Sequence, residues 1–157
     1  NFTAKTGVRT FEAAAFLRRC GADVTRVRKM FRDDVKSYRA KAEAIRHVET
    51  YKNCFAIAVC PSEGIDSPTV VASQAANELL NVDSIKATFV LTDYQGKIYI
   101  SARAIDEVNV QLIMEKMGGG GHINMAGAQL PGVSVEEGIR QLKNTIDKMI
   151  KEGDIEV

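Results

Sequence analysis

The sequence predicts an α/β domain: a mixed β-sheet of about four to five strands flanked by helices, preceded by a helical tail and a long linker helix. Three observations carry this. The runs "NCFAIAVC" (53–60), "IKATFVLT" (85–92) and "KIYISAR" (97–103) are short, apolar and rich in β-branched and aromatic residues, as strands are. The stretches around them repeat apolar residues every three or four positions, which is the helical period. The two kinds alternate along the chain, so helices must pack on a shared sheet.

The elements follow in order. "FEAAAFLRRCGAD" (11–23) reads as a short helix stopped by Gly21. "RVRKMFRDDVKSYRAKAEAIRH" (26–47) reads as a long helix, with Val27, Met30, Phe31, Tyr38, Ala42 and Ile45 on an apolar stripe among charges. Pro61 ends the first strand. In "SPTVVASQAANELLN" Ser67 stands at a capping position and Pro68 at the first helical one, predicting a helix to about Leu80. Asp93-Tyr94-Gln95-Gly96 joins the next two strands as a hairpin. "EVNVQLIMEKM" (107–117) is helical and stops at glycines, and a short strand is expected near 128–130. "SVEEGIRQLKNTIDKMI" opens with a capping box, Ser134 to Glu137, and carries Ile139, Leu142, Ile146 and Ile150 on one stripe.

Composition sets bounds on function. No 18-residue apolar run and no signal peptide occur, so this piece is expected to be soluble, without membrane contact. Cys20, Cys54 and Cys60 form no C-x-x-C pair, which fits neither a disulfide framework nor a zinc site and points to a reducing cytoplasm. The start at Asn1, already patterned and without an initiator Met, is what a C-terminal piece of a longer chain shows. Charge is divided: residues 1–52 hold 13 Lys+Arg against 6 Asp+Glu, a balance of +7, and residues 53–157 hold 8 against 14, a balance of −6. Such asymmetry signals an anionic partner, or simply the solvated face of a long helix.

The chemistry concentrates in "MEKMGGGGHINMAG" (114–127). A glycine run lets backbone approach a ligand without Cβ interference and lets successive N–H groups point one way, as a phosphate cradle requires. If "HINMAG" starts a helix, its N-terminal dipole faces the same spot. His122, at the junction, could donate a hydrogen bond to a phosphate oxygen. The alternative is a plain flexible turn. A Walker loop is excluded by the absence of G-K-[ST], and a Rossmann turn by the helix that precedes the glycines. His47 stands among charges as a surface residue, and Asp33-Asp34 point to different helix faces, so no metal site is expected within this chain.

"SAR" (101–103) and "EVNVQLIMEKMGGGGH" (107–122) resemble the substrate-binding C-terminal domain that accompanies Asp-His-His (DHH) phosphoesterase domains. "TGVRTFEAAAFLRRCGADVTRVRKMF" (6–31), with "SARAIDEVNVQ", resembles the GdpP-type cyclic-di-AMP phosphodiesterases of that superfamily. The resemblance implies that residues 1–32 are the tail of an upstream DHH domain, 33–52 a linker helix and 53–157 the DHH-associated domain. It implies a phosphodiesterase hydrolysing cyclic-di-AMP to linear pApA, with two Mn²⁺ ions held by the upstream DHH domain and none by this fragment, which alone is expected to be inactive. Arg103 matches the family's phosphate-binding Arg, Gly119, Gly120 and Gly121 its cradle, and His122 its substrate-contacting His. Ser101 and Asn109 are further candidates, although Ser101 also fits simple strand alternation and Asn109 a helix cap. The implied partners are a cyclic dinucleotide or short oligonucleotide and the upstream domain, with a homodimer left open. The implied location is a cytoplasmic domain of a membrane-anchored protein. Met125-Ala126-Gly127 departs from the family's Ala-Ala-Gly. A nanoRNase or RecJ-like exonuclease, or an RNA-binding module like the C-terminal domain of alanyl-tRNA synthetases, is the alternative.

Overall fold

Residues 6–105 and 108–155 are described by a computed structural model, in which the chain divides into two compact units, Asn1–Asp34 and Val35–Val157. The first unit holds α1 (Val8–Arg19) and α2 (Val24–Met30). α1 stops where Gly21 takes φ +91°, and the amide of Ala22 donates to Leu17 O while that of Gly21 donates to Arg18 O. Asp23 then caps α2, its carboxylate accepting from the amides of Thr25 (2.9 Å) and Arg26 (3.2 Å).

The long helix expected over 26–47 is instead two helices, because α2 ends at Met30 and α3 spans Val35–Arg46. Residues 32–34 between them are not helical. Asp33 and Asp34 explain the break, since aspartate favours the positions that flank a helix over its interior. After α3 the chain turns directly into a strand, β1 (Glu49–Tyr51).

The second unit is one mixed six-stranded sheet between two helical layers. Its further elements are β2 (Phe55–Val59), α4 (Pro68–Leu79), β3 (Ala87–Tyr94), β4 (Lys97–Ala104), α5 (Val110–Lys116), β5 (Gly120–His122), β6 (Met125–Pro131) and α6 (Val135–Glu152). The strand order is β1-β2-β3-β4-β6-β5, with β2 and β3 parallel across α4 and every other neighbour antiparallel. The β3–β4 hairpin turns on Gln95 and Gly96, both at positive φ (52° and 73°), as a two-residue connection requires.

Alternation along the strands divides the core. Phe55, Ile57, Phe89, Leu91, Ile98, Ile100, Ala126 and Ala128 bury one face against Ile113 and Met114 of α5 and Leu142, Ile146 and Met149 of α6. Ala56, Ala58 and Val90 bury the other against Ala40 and Ala44 of α3 and Val71, Ala72, Ala75, Ala76 and Leu79 of α4. The small residues on this second face let the helices sit close.

Several local expectations change in detail. Among the described residues the strands number six rather than four or five, and β1 and β5, three residues each, carry no readable periodicity. "HINMAG" starts no helix; it is the last residue of β5, the turn and the first residues of β6, so it supplies no helix N-terminus at the glycines. The strand expected near 128–130 is the longer β6. Ser67 makes no side-chain cap, and only Pro68 marks the start of α4. Ser134 Oγ accepts from the Glu137 amide (3.2 Å), but the Glu137 carboxylate bonds Arg140 and Gln141 rather than reaching back, leaving half a capping box. Glu107, first residue of the expected helix before the glycines, lies outside the described residues, as do Asn1 to Lys5 of the expected tail.

Candidate functional site

Strand alternation also creates the site. With Ile98, Ile100, Ala102 and Ala104 committed to the α5/α6 core, Tyr99, Ser101 and Arg103 leave β4 from the opposite face. In β6 the same division leaves Met125, Gly127 and Gln129 beside them. The α3/α4 core includes residues of β2 and β3 but none of β4 or β6, so α4 borders this strip of sheet without filling it with apolar side chains.

A cleft of about 510 Å³ lies there, lined by Thr69, Ser73 and Gln74 of α4 together with Ser101, Arg103, Gly120, Gly121 and Gly127. That volume falls in the range of small-molecule sites. A recess continues from it past Gly118, Gly119 and Gly120 to Tyr99 and Gln129. Among the described residues no carboxylate lines either part, and Arg103 is the single charged residue in the lining.

Register sets the rows across the floor. Arg103 pairs with Met125, which pairs with His122; Ser101 pairs with Gly127, which pairs with Gly120. Paired residues share a face, so His122 stands on the same face as Arg103, two strands or about 10 Å away at the backbone. His122 is exposed and is not among the residues lining the cleft. Its row ends the floor on the outer side.

The glycines divide into two roles. A Cβ at Gly119 would lie 2.1 Å from Gly127 O, and one at Gly121, where φ is +147°, would lie 2.5 Å from Ala126 Cα. These two positions let the chain lie flush on β6, which no side chain permits. Gly120 differs, since a Cβ there meets nothing within 4 Å. It leaves open space above the floor.

Arg103 is buried, only 9% exposed, and its pKa is lowered from the ordinary arginine value by loss of water. Nε donates to Asn77 Oδ1 (3.1 Å), Nη1 to Ala102 O (2.8 Å) and Nη2 to Ser73 Oγ. Among the described residues no carboxylate pairs with it. An arginine remains protonated, so a buried charge without a counterion sits at the cleft wall, a costly arrangement unless an anion completes it.

The sequence-predicted residues are thus only partly united. Arg103, Ser101, Gly120 and Gly121 meet in the cleft, Gly119 lines its recess, and His122 flanks the floor. Asn109 lies elsewhere: it caps α5, its Oδ1 accepting from the amides of Gln111 (3.1 Å) and Leu112 (3.3 Å), and it lines neither part of the cleft. The wall from α4 escaped sequence reasoning. Its signal is Thr69, Ser73 and Asn77, polar residues spaced by four on a helix otherwise rich in Ala and Val.

Among the described residues no three His, Cys, Asp or Glu side chains gather closely enough to hold a metal ion.

A family model described as the DHHA1 domain matches residues 52–152. The chain is 41% identical over 155 residues to the cyclic-di-AMP phosphodiesterase GdpP of Bacillus subtilis, a match covering 98% of this chain and 24% of that protein. It is 40% identical over 148 residues to the cyclic-di-AMP phosphodiesterase PdeA of Listeria monocytogenes, covering 94% and 22%. The chain thus spans about a quarter of the length of the curated relatives it matches. In fold it is similar to an exopolyphosphatase-related protein of Bacteroides fragilis, with TM-score 0.77 and 17% identity over 92% of this chain and 44% of that one.

Proposed function

The chain belongs to the DHHA1 domain family, and on that premise we propose that it is the substrate-binding part of a phosphodiesterase that hydrolyses cyclic-di-AMP to linear pApA. The observation that carries this is Arg103, a buried cation with no carboxylate beside it or in the cleft lining among the described residues. Such a wall suits a phosphodiester, whose charge replaces the missing counterion. The names of the relatives that match almost the whole chain supply the substrate.

In this reading the chain binds and orients. Arg103 holds the non-bridging phosphate oxygens, the open space at Gly120 admits the ligand to the floor, Gly119 and Gly121 keep that floor flat, and His122 donates from its outer edge. Ser101 adds a hydroxyl between Arg103 and the glycines. Attack on phosphorus belongs to the upstream DHH domain and its two manganese ions. Among the described residues no helix is long and apolar enough to cross a membrane; in this reading the full-length protein is anchored to the membrane elsewhere and this domain faces the cytoplasm.

The test compares two forms. The full-length protein with Mn²⁺ should cleave cyclic-di-AMP in preference to a short oligoribonucleotide, while the 157-residue chain, with Mn²⁺ in excess, should cleave neither. A chelator-sensitive turnover by the purified chain would overturn the division of labour. Preference for the oligoribonucleotide would move the assignment to a nanoRNase-like enzyme.

His122 gives a separate expectation. A charge-assisted hydrogen bond to phosphate is worth roughly 1.5–3 kcal/mol, so His122→Ala in the full-length protein should lower kcat/KM about 10- to 150-fold. The ring is exposed and makes no hydrogen bond or ion pair among the described residues, so the melting temperature should shift by less than about 2 °C. Melting curves and steady-state kinetics on the same preparation read both.

A further inference from the structure

We infer that Ser73 and Asn77 of α4 are positioning residues that set the Arg103 guanidinium in one orientation and leave a single bidentate edge for phosphate. The inference rests on the phosphodiesterase reading and names the second layer of that same site. A guanidinium has five N–H donors in a fixed plane. Asn77 takes Nε–H and Ser73 takes one hydrogen of Nη2, and these two nitrogens form the side edge of the fork. Ala102 O takes one hydrogen of Nη1, folding that nitrogen back toward the strand. One hydrogen remains on each terminal nitrogen. Together they make the end-on edge, which matches two oxygens of one phosphate.

The chemistry of the two partners is specific. Both are uncharged, so they fix the plane without neutralising the cation. They lie one turn apart on the α4 face that borders the open strip, and Ser73 itself lines the cleft. A carboxylate at either place would hold the arginine equally well and would cancel the charge that the ligand needs. The device therefore needs hydrogen-bond acceptors that are not anions.

The experiment uses the full-length protein with cyclic-di-AMP and four substitutions, Ser73→Ala, Ser73→Thr, Asn77→Ala and Asn77→Asp, each measured for kcat, KM and melting temperature. Asn77 is exposed, so its variants are expected to fold, which the melting temperatures check. Ser73→Ala and Asn77→Ala should each lower kcat/KM about 5- to 30-fold, and Ser73→Thr, which keeps the hydroxyl, should restore most of it. Asn77→Asp should fall further than Asn77→Ala, about 50-fold or more, while its melting temperature rises. A purely structural role predicts the reverse for Asn77→Asp, with binding retained alongside stability. Wild-type rates in both alanine variants, or an Asn77→Asp protein as active as wild type, would overturn the inference. A wild-type protein inert toward cyclic-di-AMP would instead overturn the reading on which it rests.

Discussion

Arg103→Lys is expected to lose kcat/KM nearly as completely as Arg103→Ala, by roughly 100-fold or more in the full-length protein. Two charge-assisted hydrogen bonds at roughly 1.5–3 kcal/mol each exceed 3 kcal/mol together, and each 1.4 kcal/mol is about tenfold. Lysine keeps the charge but loses the plane. Its ammonium has three donors at one point, and Asn77, Ala102 O and Ser73, all engaged by Arg103, can absorb them before any reaches the ligand. Near-normal kinetics in the lysine variant would show that Arg103 works by charge alone. Arg103→Met separates binding from stability. Replacing a buried charge that lacks a counterion with an apolar side chain of similar length removes a desolvation cost. The ligand-free melting temperature should therefore not fall, even as cyclic-di-AMP turnover disappears.

The second large effect contrasts two neighbours. Gly119→Ala forces a Cβ to within 2.1 Å of Gly127 O and 2.7 Å of Ala128 Cα, which are backbone atoms of β6 and cannot swing aside. Overpacking of this kind costs about 3 kcal/mol, or roughly 6–12 °C in melting temperature for a domain of this size. Gly120→Ala should melt like wild type, because its Cβ meets nothing. Its methyl enters the space above the cleft floor, so KM for cyclic-di-AMP should rise about tenfold or more, near 1.4 kcal/mol. Thermal melts beside substrate titrations decide the matter. Equal stability in the two variants would show that the glycine run is not held against β6, and an unchanged KM in Gly120→Ala would place the ligand elsewhere.

Legibility followed the length and regularity of each signal. The β3–β4 hairpin was readable because a two-residue turn with Gly96 joins two eight-residue strands. The glycines and His122 stood out by their own chemistry and Arg103 and Ser101 through the resemblance, and strand alternation explains why Arg103 and Ser101 share a face. β1 and β5 were missed because three residues give no period, and because Gly120 and Gly121 have low strand propensity; pairing with β6, a tertiary effect, makes them a strand. The break at 32–34 was masked by an apolar stripe that runs on through Phe31. Asp33-Asp34 carried the relevant signal, and it lay in plain view. Asn109 was open to two readings, and its capping bonds to Gln111 and Leu112 are what the structure displays. The α4 wall is the instructive omission: Thr69, Ser73 and Asn77 read as ordinary helix surface until β4 supplies the cation they face.

The place of β5 at the sheet edge has a consequence for motion. It is three residues long and bonded only to β6, whereas β4 is held between β3 and β6. Local opening free energies are lowest where a strand has one partner and little buried side chain, so β5 peels at a small fraction of the global unfolding free energy. Amide hydrogens of Gly120 to His122 are therefore expected to exchange early, and those of Phe89 and Ile100 near the global limit, in a native-state hydrogen-exchange measurement. The cleft thus has a firmly held wall at Arg103, in a strand with two partners, and an edge strand with one partner at His122 beside its floor. A ligand that reached from one to the other would tie the margin down, and its affinity would include the free energy of closing that edge.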